Sequence, residues 1–263
     1  ETPRGFFVSR DRKTAVAAVG SARTVTSPVS SSSGQASSSK SPWHGLKSVE
    51  NVLTVCKESH PRARLLGGLR FDPVHNQTDD NWSEFGDHFW FLPAVELSVD
   101  VCDGKESVML AVNVYYDLDS SNSLTTLTKE VTSRIQLLSK LRCPSTPYAG
   151  GIDRFVPPCG GSPPYRIPVA VAEKPTDNLQ QYEQKVKAAV TCVKSGELAK
   201  VVLARSTQLK FDTKPNDPLD VLLTVLHRTK DSNRYIFYLE PEPGHAFTCV
   251  SPEMLAKVSL KED

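Results

Sequence analysis

The chain has 263 residues, of which 39% are hydrophobic and 23% are charged, and its formal net charge is +1. The balanced charge excludes a strong basic field for nucleic acid or a membrane surface, and no apolar run is long enough to span a bilayer. The six cysteines form neither a CxxC pair nor a cysteine–histidine cluster with zinc spacing, so we expect reduced thiols in a reducing compartment.

Strand patterns dominate residues 1–142, which we predict to form an N-terminal α+β region. Runs rich in apolar and β-branched residues predict strands at 5–10, 14–22, 64–71, 88–99 and 107–116. Apolar residues at helical spacing predict helices at 43–58 and 124–141. The serine-rich stretch 27–41 is too polar to bury, and we predict a disordered loop there.

Turn and breaker residues add detail to these strands. We predict that the first two strands form a hairpin at Asp11–Lys13, and that the last two pair across Asp103-Gly104. The pair Gly67-Gly68 indicates a bulge or a close backbone approach, and Pro93 confines its strand to an edge or a bulge.

Residues 143–175 are rich in proline and paired glycines, so we predict a linker or a long crossover loop. The remaining residues, 176–263, form the third predicted region. It begins with a helix capped by Thr176 or Asp177, with Gln180 closing a capping box, and Ser195-Gly196 ends this helix.

The run Lys200–Arg205 follows the helix and is apolar on both faces, which predicts a strand buried on both sides. On such a strand an ammonium loses hydration, so the pKa of Lys200 is expected to fall from about 10.4 toward neutrality. A neutral amine at a dry site is a general base. From the residues alone, the favoured interpretation is a lysine at the strand mouth that extends into water.

The C-terminal segment is predicted to continue with one helix and two strands. The helix covers 218–228 with Asp217 as its N-cap, and the strands at 235–239 and 246–250 are joined by a turn. Ser251-Pro252-Glu253 breaks the second strand, which we expect to resume at 255–260. From the residues alone, the favoured interpretation of Glu253 is a carboxylate at the start of a helix.

Several of these segments resemble the chorismate-utilising enzymes, and among them most closely the isochorismate synthases. The segments are KVVLAR at 200–205, FTCVSPEML at 247–255, GFFVSR at 5–10, AAVGSA at 17–22 and GGLRFDP at 67–73. The resemblance implies that Lys200 is the base that activates a water, and that Glu253 is the acid that protonates the departing hydroxyl. Members that use ammonia usually carry glutamine at the position of Lys200, so the lysine points to water as nucleophile.

The resemblance also implies an α+β fold of mostly antiparallel sheets flanked by helices, similar to part of the family's layered sandwich. It implies chorismate as substrate and Mg²⁺ as cofactor, with magnesium ligands that we expect outside this chain. We therefore expect the chain, as the first part of a catalytic domain, to be inactive alone.

The biological setting implied by the resemblance is phylloquinone, menaquinone or salicylate biosynthesis in a plastid, with fused or associated downstream enzymes as partners. Salicylate synthases share the lysine, so the choice between isochorismate and salicylate as product stays open. The alternative is a non-catalytic structural or interaction module of a multifunctional fusion protein.

Overall fold

The computed structural model describes residues 2–26, 47, 49–52, 54, 62–70, 80–115, 124–139, 170–175, 178–211, 217–229 and 232–254. Within these ranges the fold is α+β, with antiparallel sheets and few helices, as the sequence predicts. The chain forms two compact units: Glu1–Pro163 together with Leu222–Asp263, and Pro164–Val221. In the described ranges we find no helix with the length and apolar character needed to cross a bilayer.

The described strands are β1 (Arg4–Val8), β2 (Thr14–Thr26), β3 (Leu66–Leu69), β4 (His88–Cys102), β5 (Lys105–Val112), β6 (Ala170–Pro175), β7 (Thr207–Phe211), β8 (Tyr235–Glu242) and β9 (His245–Ser251). The described helices are α1 (Leu124–Ser139), α2 (Leu179–Lys194) and α3 (Pro218–Arg228), with a 3-10 helix at Asp80–Phe85 and helical residues at 47, 49–52 and 54.

A seven-stranded antiparallel sheet forms the centre of the first unit. Its order is β3-β4-β2-β1-β8-β9, and β5 also pairs with β4. One face of the sheet packs around Val16, Leu66, Phe89, Phe91 and Leu239, and a second cluster joins Val25 and Leu92 to Val49 and Val52 of the partly described helix. Because β8 pairs with β1, Leu222–Asp263 belongs to this unit. The domain boundaries at 142 and 175 stay a prediction.

The two predicted hairpins are confirmed. β1 pairs with β2 around Asp11–Lys13, and β4 pairs with β5 across Asp103-Gly104, both of which have positive φ. β2 runs beyond the predicted end at residue 22, because a register shift between Ser21 and Arg23 lets the strand continue past Gly20.

β4 is an interior strand, so the prediction of an edge position for Pro93 is wrong and the alternative of a bulge is right. β2 pairs along one side of β4, and its register shift lies opposite Pro93. On the other side the ladder with β3 covers residues 88–91 and the ladder with β5 covers 95–102, so Pro93 falls in the gap. Asn113 closes this gap, since its Nδ2 donates to the Pro93 carbonyl at 2.9 Å.

The predicted close backbone approach is confirmed at Gly67. A Cβ placed there would lie 2.1 Å from the carbonyl oxygen of Phe89 and 2.6 Å from Cα of Trp90. A Cβ at Gly68 would meet nothing within 4 Å, so the steric requirement falls on one glycine of the pair.

In the second unit, β6 pairs with β7, and β6 occupies residues that the sequence assigned to a linker. The N-cap of α2 is Asn178, so the prediction of Thr176 or Asp177 is wrong by one or two positions. Asn178 forms the capping box with Gln181, three residues later, because the Asn178 side chain accepts from the Gln181 amide. Gly196, with φ +78°, follows the C-cap as predicted.

The remaining predicted elements are confirmed where the structure describes them. α1 and α3 match their predicted spans, Asp217 accepts a hydrogen bond from the Leu219 amide at 2.9 Å, and β8 and β9 form the predicted hairpin. The predictions for 27–41, for 143–169 and for 255–260 lie outside the described residues.

Candidate functional site

Glu253 lies just after β9, where the strand ends at Ser251. The Ser251 hydroxyl accepts a hydrogen bond from the Glu253 amide at 3.2 Å and donates to the Glu253 carbonyl at 2.9 Å. Arg10 holds the same segment from the turn after β1, since its Nη1 donates to the Pro252 carbonyl at 3.3 Å. The backbone of Glu253 is therefore fixed to the sheet, while its side chain is exposed.

The other end of the β8–β9 hairpin is held by a buried carboxylate. Glu240 has no exposed surface, and its Oε2 accepts from the Tyr238 phenol at 2.7 Å and lies 3.3 Å from Nε of Arg4. Its Oε1 accepts from the amide of Gly244 at 3.0 Å, in the turn where Gly244 has φ +87°. These bonds fix the hairpin whose far end carries Glu253.

Lys200 lies in an exposed, irregular segment, so the prediction that residues 200–205 form a buried strand is wrong. β6, the partner of β7, ends at Pro175, which pairs with Thr207, and the chain then enters the cap of α2 at Asn178. Proline has no amide to extend a ladder. β7 therefore begins at Thr207, and the exposed Lys200 side chain keeps its contact with water.

Lys200 belongs to the second unit and Glu253 to the first. Each residue is therefore described within its own unit. The roles of Lys200 as base and of Glu253 as acid stay predictions.

β4 carries a buried acidic residue that the sequence patterns did not single out. Glu96 is 1% exposed, and its Oε1 accepts from Nη1 of Arg64 at 3.0 Å. Arg64 also reaches Oδ2 of Asp100 at 3.6 Å. Burial raises the pKa of Glu96, the Arg64 charge opposes this rise, and Asp100 adds to it. The signal in the sequence is one glutamate inside the apolar run HFWFLPAVELSV.

Glu96, Ser98 and Asp100 share one face of β4, because side chains alternate along a strand. Ser98 is also buried, and its hydroxyl has no hydrogen-bond partner among the described residues. Arg64 and Glu96 form a structural ion pair that joins the segment before β3 to the centre of the sheet.

In the described part of the chain, no three histidine, cysteine, aspartate or glutamate side chains converge to hold a metal ion. No chemical step is assigned to a metal ion.

Comparisons with known proteins agree on the fold. A family model described as "Chorismate binding enzyme" matches residues 1–262. The solved structure of MenF, the menaquinone-specific isochorismate synthase from Escherichia coli, superposes with a TM-score of 0.55 at 19% sequence identity. The match covers 96% of this chain and 45% of that chain, so this chain spans less than half of the length of that enzyme. No curated protein sequence matches the chain.

Proposed function

The chain belongs to the chorismate-binding enzyme family, and from this premise we propose that it serves isochorismate-synthase-type chemistry. In this reaction a water adds to one ring carbon of chorismate and a hydroxyl leaves from another. The observation that carries the proposal is the family match over residues 1–262, which includes both the KVVLAR and the SPE segments.

We assign the proton transfers to two residues. Lys200 takes a proton from the attacking water, and Glu253 gives a proton to the departing hydroxyl, so that one water enters and one leaves. An amine acts as a base when it is held neutral in dry surroundings, and a carboxyl acts as an acid when it is held protonated. Each such transfer typically contributes about 10²- to 10⁴-fold to the rate.

We further propose that this polypeptide does not turn over chorismate alone. Its Lys200 side chain is exposed, so the amine lacks the dry surroundings that base catalysis needs. The pathway we propose is quinone or salicylate biosynthesis, and the location we propose is a plastid. We propose that the magnesium ligands lie outside the described residues. Magnesium bound to a substrate carboxylate would screen its charge and fix its orientation.

A second candidate function is that of a non-catalytic structural or interaction module within a larger fusion protein. The exposed positions of both Lys200 and Glu253 favour it. Such a module would keep the fold but would not require the side chains of Lys200 and Glu253.

The test fuses the chain in frame to the part of the E. coli enzyme that lies outside the match. Chorismate consumption is measured in H₂¹⁸O with Mg²⁺, and products are separated by chromatography, so that labelled isochorismate is distinguished from salicylate. We expect turnover by the fusion, none by the chain alone, and a loss of at least about 100-fold in kcat for Lys200→Ala and Glu253→Gln in the fusion.

Two outcomes argue against the proposed chemistry. One is a fusion that melts cooperatively yet leaves chorismate unchanged. The other is a fusion whose rate is unaffected by Lys200→Ala, and this second outcome favours the non-catalytic module.

A further inference from the structure

Side-chain hydrogen bonds hold the turn between β1 and β2, residues 9–13, from within. The Ser9 hydroxyl donates to Oδ1 of Asp11 at 2.7 Å and accepts from the Thr14 amide at 2.9 Å. Oδ1 of Asp11 also accepts from the Lys13 amide at 3.1 Å. The hydrogen bond from Ser9, followed by that from the Lys13 amide, lowers the pKa of Asp11. The carboxylate therefore stays ionised and able to accept both bonds at any pH near neutrality.

The same turn is also tied to neighbouring elements of the first unit. The Lys13 carbonyl accepts from the Val101 amide of β4 at 2.7 Å. Nη2 of Arg12 donates to the Thr229 carbonyl, just past the end of α3, at 2.8 Å. Arg12 has φ +57°, a backbone conformation that favours glycine or asparagine. The arginine is therefore explained by the contact that its side chain makes and not by the geometry of the turn.

Arg10 extends from this turn to the segment that carries Glu253. Its Nη1 donates to the Pro252 carbonyl at 3.3 Å, and the two residues lie 242 positions apart in sequence. Proline has no amide, so the carbonyl is the backbone group through which Pro252 can be held. Ser251 and Glu253 bond to each other within the segment. Arg10 supplies a link from this segment to a neighbouring hairpin.

We propose that Arg10 is a positioning residue for Glu253. Residues 9–13 form the fixed base from which the guanidinium of Arg10 holds the Pro252 carbonyl. The place of the Glu253 carboxyl depends on the backbone directly before it, and a displacement of about 1 Å in a reacting group can cost about 100-fold in rate. The inference deepens the proposed function and rests on it, because it concerns how the proposed acid is placed.

The first test uses the 263-residue chain alone and does not depend on catalysis. Nitrogen-15 relaxation gives the backbone order parameter of Glu253, which we expect to be about 0.85 in the unsubstituted chain and below about 0.6 in Arg10→Met. Arg234→Met is the matched control, since Arg234 is an exposed arginine directly before β8, whose residue Tyr235 pairs with Ser251. The control should leave the order parameter of Glu253 unchanged.

The second test measures chorismate turnover by the fusion described above. Arg10→Met should lower kcat at least about tenfold and leave KM nearly unchanged, because it displaces the proposed acid without touching the substrate. In a fusion that already carries Glu253→Gln, Arg10→Met should have no further effect on kcat, since no acid remains to be positioned. An arginine with a merely structural role would lower kcat by the same factor in both backgrounds.

Three results overturn the proposal. The first is an order parameter of Glu253 that Arg10→Met leaves unchanged, and the second is an equal loss of kcat with and without Glu253→Gln. The third is a raised KM with unchanged kcat, which would mean that Arg10 binds the substrate directly. A fusion without turnover overturns the proposed function instead, and the order parameter then decides whether Arg10 holds the Glu253 backbone.

Discussion

Tyr238 and Glu240 lie two residues apart on β8, and the Tyr238 phenol donates a 2.7 Å hydrogen bond to Oε2 of Glu240 inside the sheet. Neither side chain has exposed surface. Side chains two positions apart on a strand share a face, which is why the phenol can reach the carboxylate. The same carboxylate accepts the Gly244 amide, so the pair connects the sheet interior to the β8–β9 turn.

Tyr238→Phe should lower the free energy of unfolding by about 1–3 kcal/mol, because it leaves the buried carboxylate short of a donor. Urea denaturation followed by tryptophan fluorescence measures the change. The matched control is Tyr235→Phe, since Tyr235 is only partly buried and stacks on Phe7 with ring centroids 6.4 Å apart, a contact that phenylalanine keeps. Equal losses of unfolding free energy in the two variants would contradict a specific contribution of the hydrogen bond between Tyr238 and Glu240.

Gly67→Ala should destabilise the chain by about 1–3 kcal/mol, as overpacking against a backbone does. The new Cβ meets the Phe89 carbonyl and Trp90 Cα, and neither can move without disturbing the β3–β4 ladder. Gly68→Ala is the control, because its Cβ enters open space, and its effect should stay within about 0.5 kcal/mol. The urea midpoint of each variant measures the effect. A lower midpoint for Gly68→Ala than for Gly67→Ala would contradict the close backbone approach at Gly67.

Protonation of Glu96 should raise the free energy of unfolding of the chain as the pH falls toward 4.5. Its pKa in the folded chain is raised above the ordinary value of 4.5, chiefly by burial, so the folded state binds this proton more tightly than the unfolded state. Stability then rises as pH falls through the window between the folded pKa and 4.5. The free energy of unfolding of the native chain minus that of Glu96→Gln should therefore grow as the pH is lowered, and a difference that shrinks would show the sign to be wrong.

Arg64→Met provides a second test of the same carboxyl group. The Arg64 charge opposes the rise in the pKa of Glu96, so its removal should raise this pKa further and move the window to higher pH. The titration of Glu96 by carbon-13 NMR in both chains measures the shift directly. An unchanged Glu96 titration in Arg64→Met would mean that the 3.0 Å contact carries little charge interaction.

Local signals in the sequence predicted most of the fold, because hairpins and caps depend on neighbouring residues. Asp103-Gly104 adopts the positive φ angles that a tight hairpin requires, and Asp217 caps α3 as its position before Pro218 indicates. The interior position of β4 could not be predicted, because the pairing of β2 with β4 joins residues far apart in sequence. Pro93 by itself indicates an edge strand. The gap between the β3 and β5 ladders explains how the interior strand β4 accommodates this proline.

The local structure around Lys200 was predicted less well than the rest of the fold. The apolar pattern of 200–205 indicates a buried strand, but burial needs covering layers, and nothing within a short run shows whether they are present. The break after β9 could be predicted, because proline at 252 cannot extend the ladder, and the structure adds the Ser251 hydrogen bonds that fix it. The buried ion pair of Arg64 and Glu96 depends on the meeting of β4 with the segment before β3, which spacing alone does not reveal.

Asn178→Ala should lower the stability of α2, because it removes the acceptor for the Gln181 amide at 2.8 Å. Loss of an N-cap typically costs about 0.5–2 kcal/mol. Hydrogen exchange of the amides in the first turn of α2 measures the effect within the second unit. Gln180→Ala is the control, since it lies in the same exposed turn outside the capping box, and it should leave this exchange nearly unchanged.

Lys200→Ala should impair the proposed chemistry and leave the stability of the chain nearly unchanged. The side chain is exposed and lies outside any ladder, so the substitution should change the free energy of unfolding of the chain by less than about 0.5 kcal/mol. In the fusion that completes the fold, the same substitution removes the proposed base, and kcat should fall by at least about 100-fold. A pH–rate profile distinguishes a lost base from a lost contact, because the alanine variant should lose the rise in kcat with pH that deprotonation of the amine produces, whereas a merely structural lysine would leave the profile unchanged. A large loss of stability in the free chain would contradict the exposed position of Lys200, and an unchanged profile in the fusion would remove it from the mechanism.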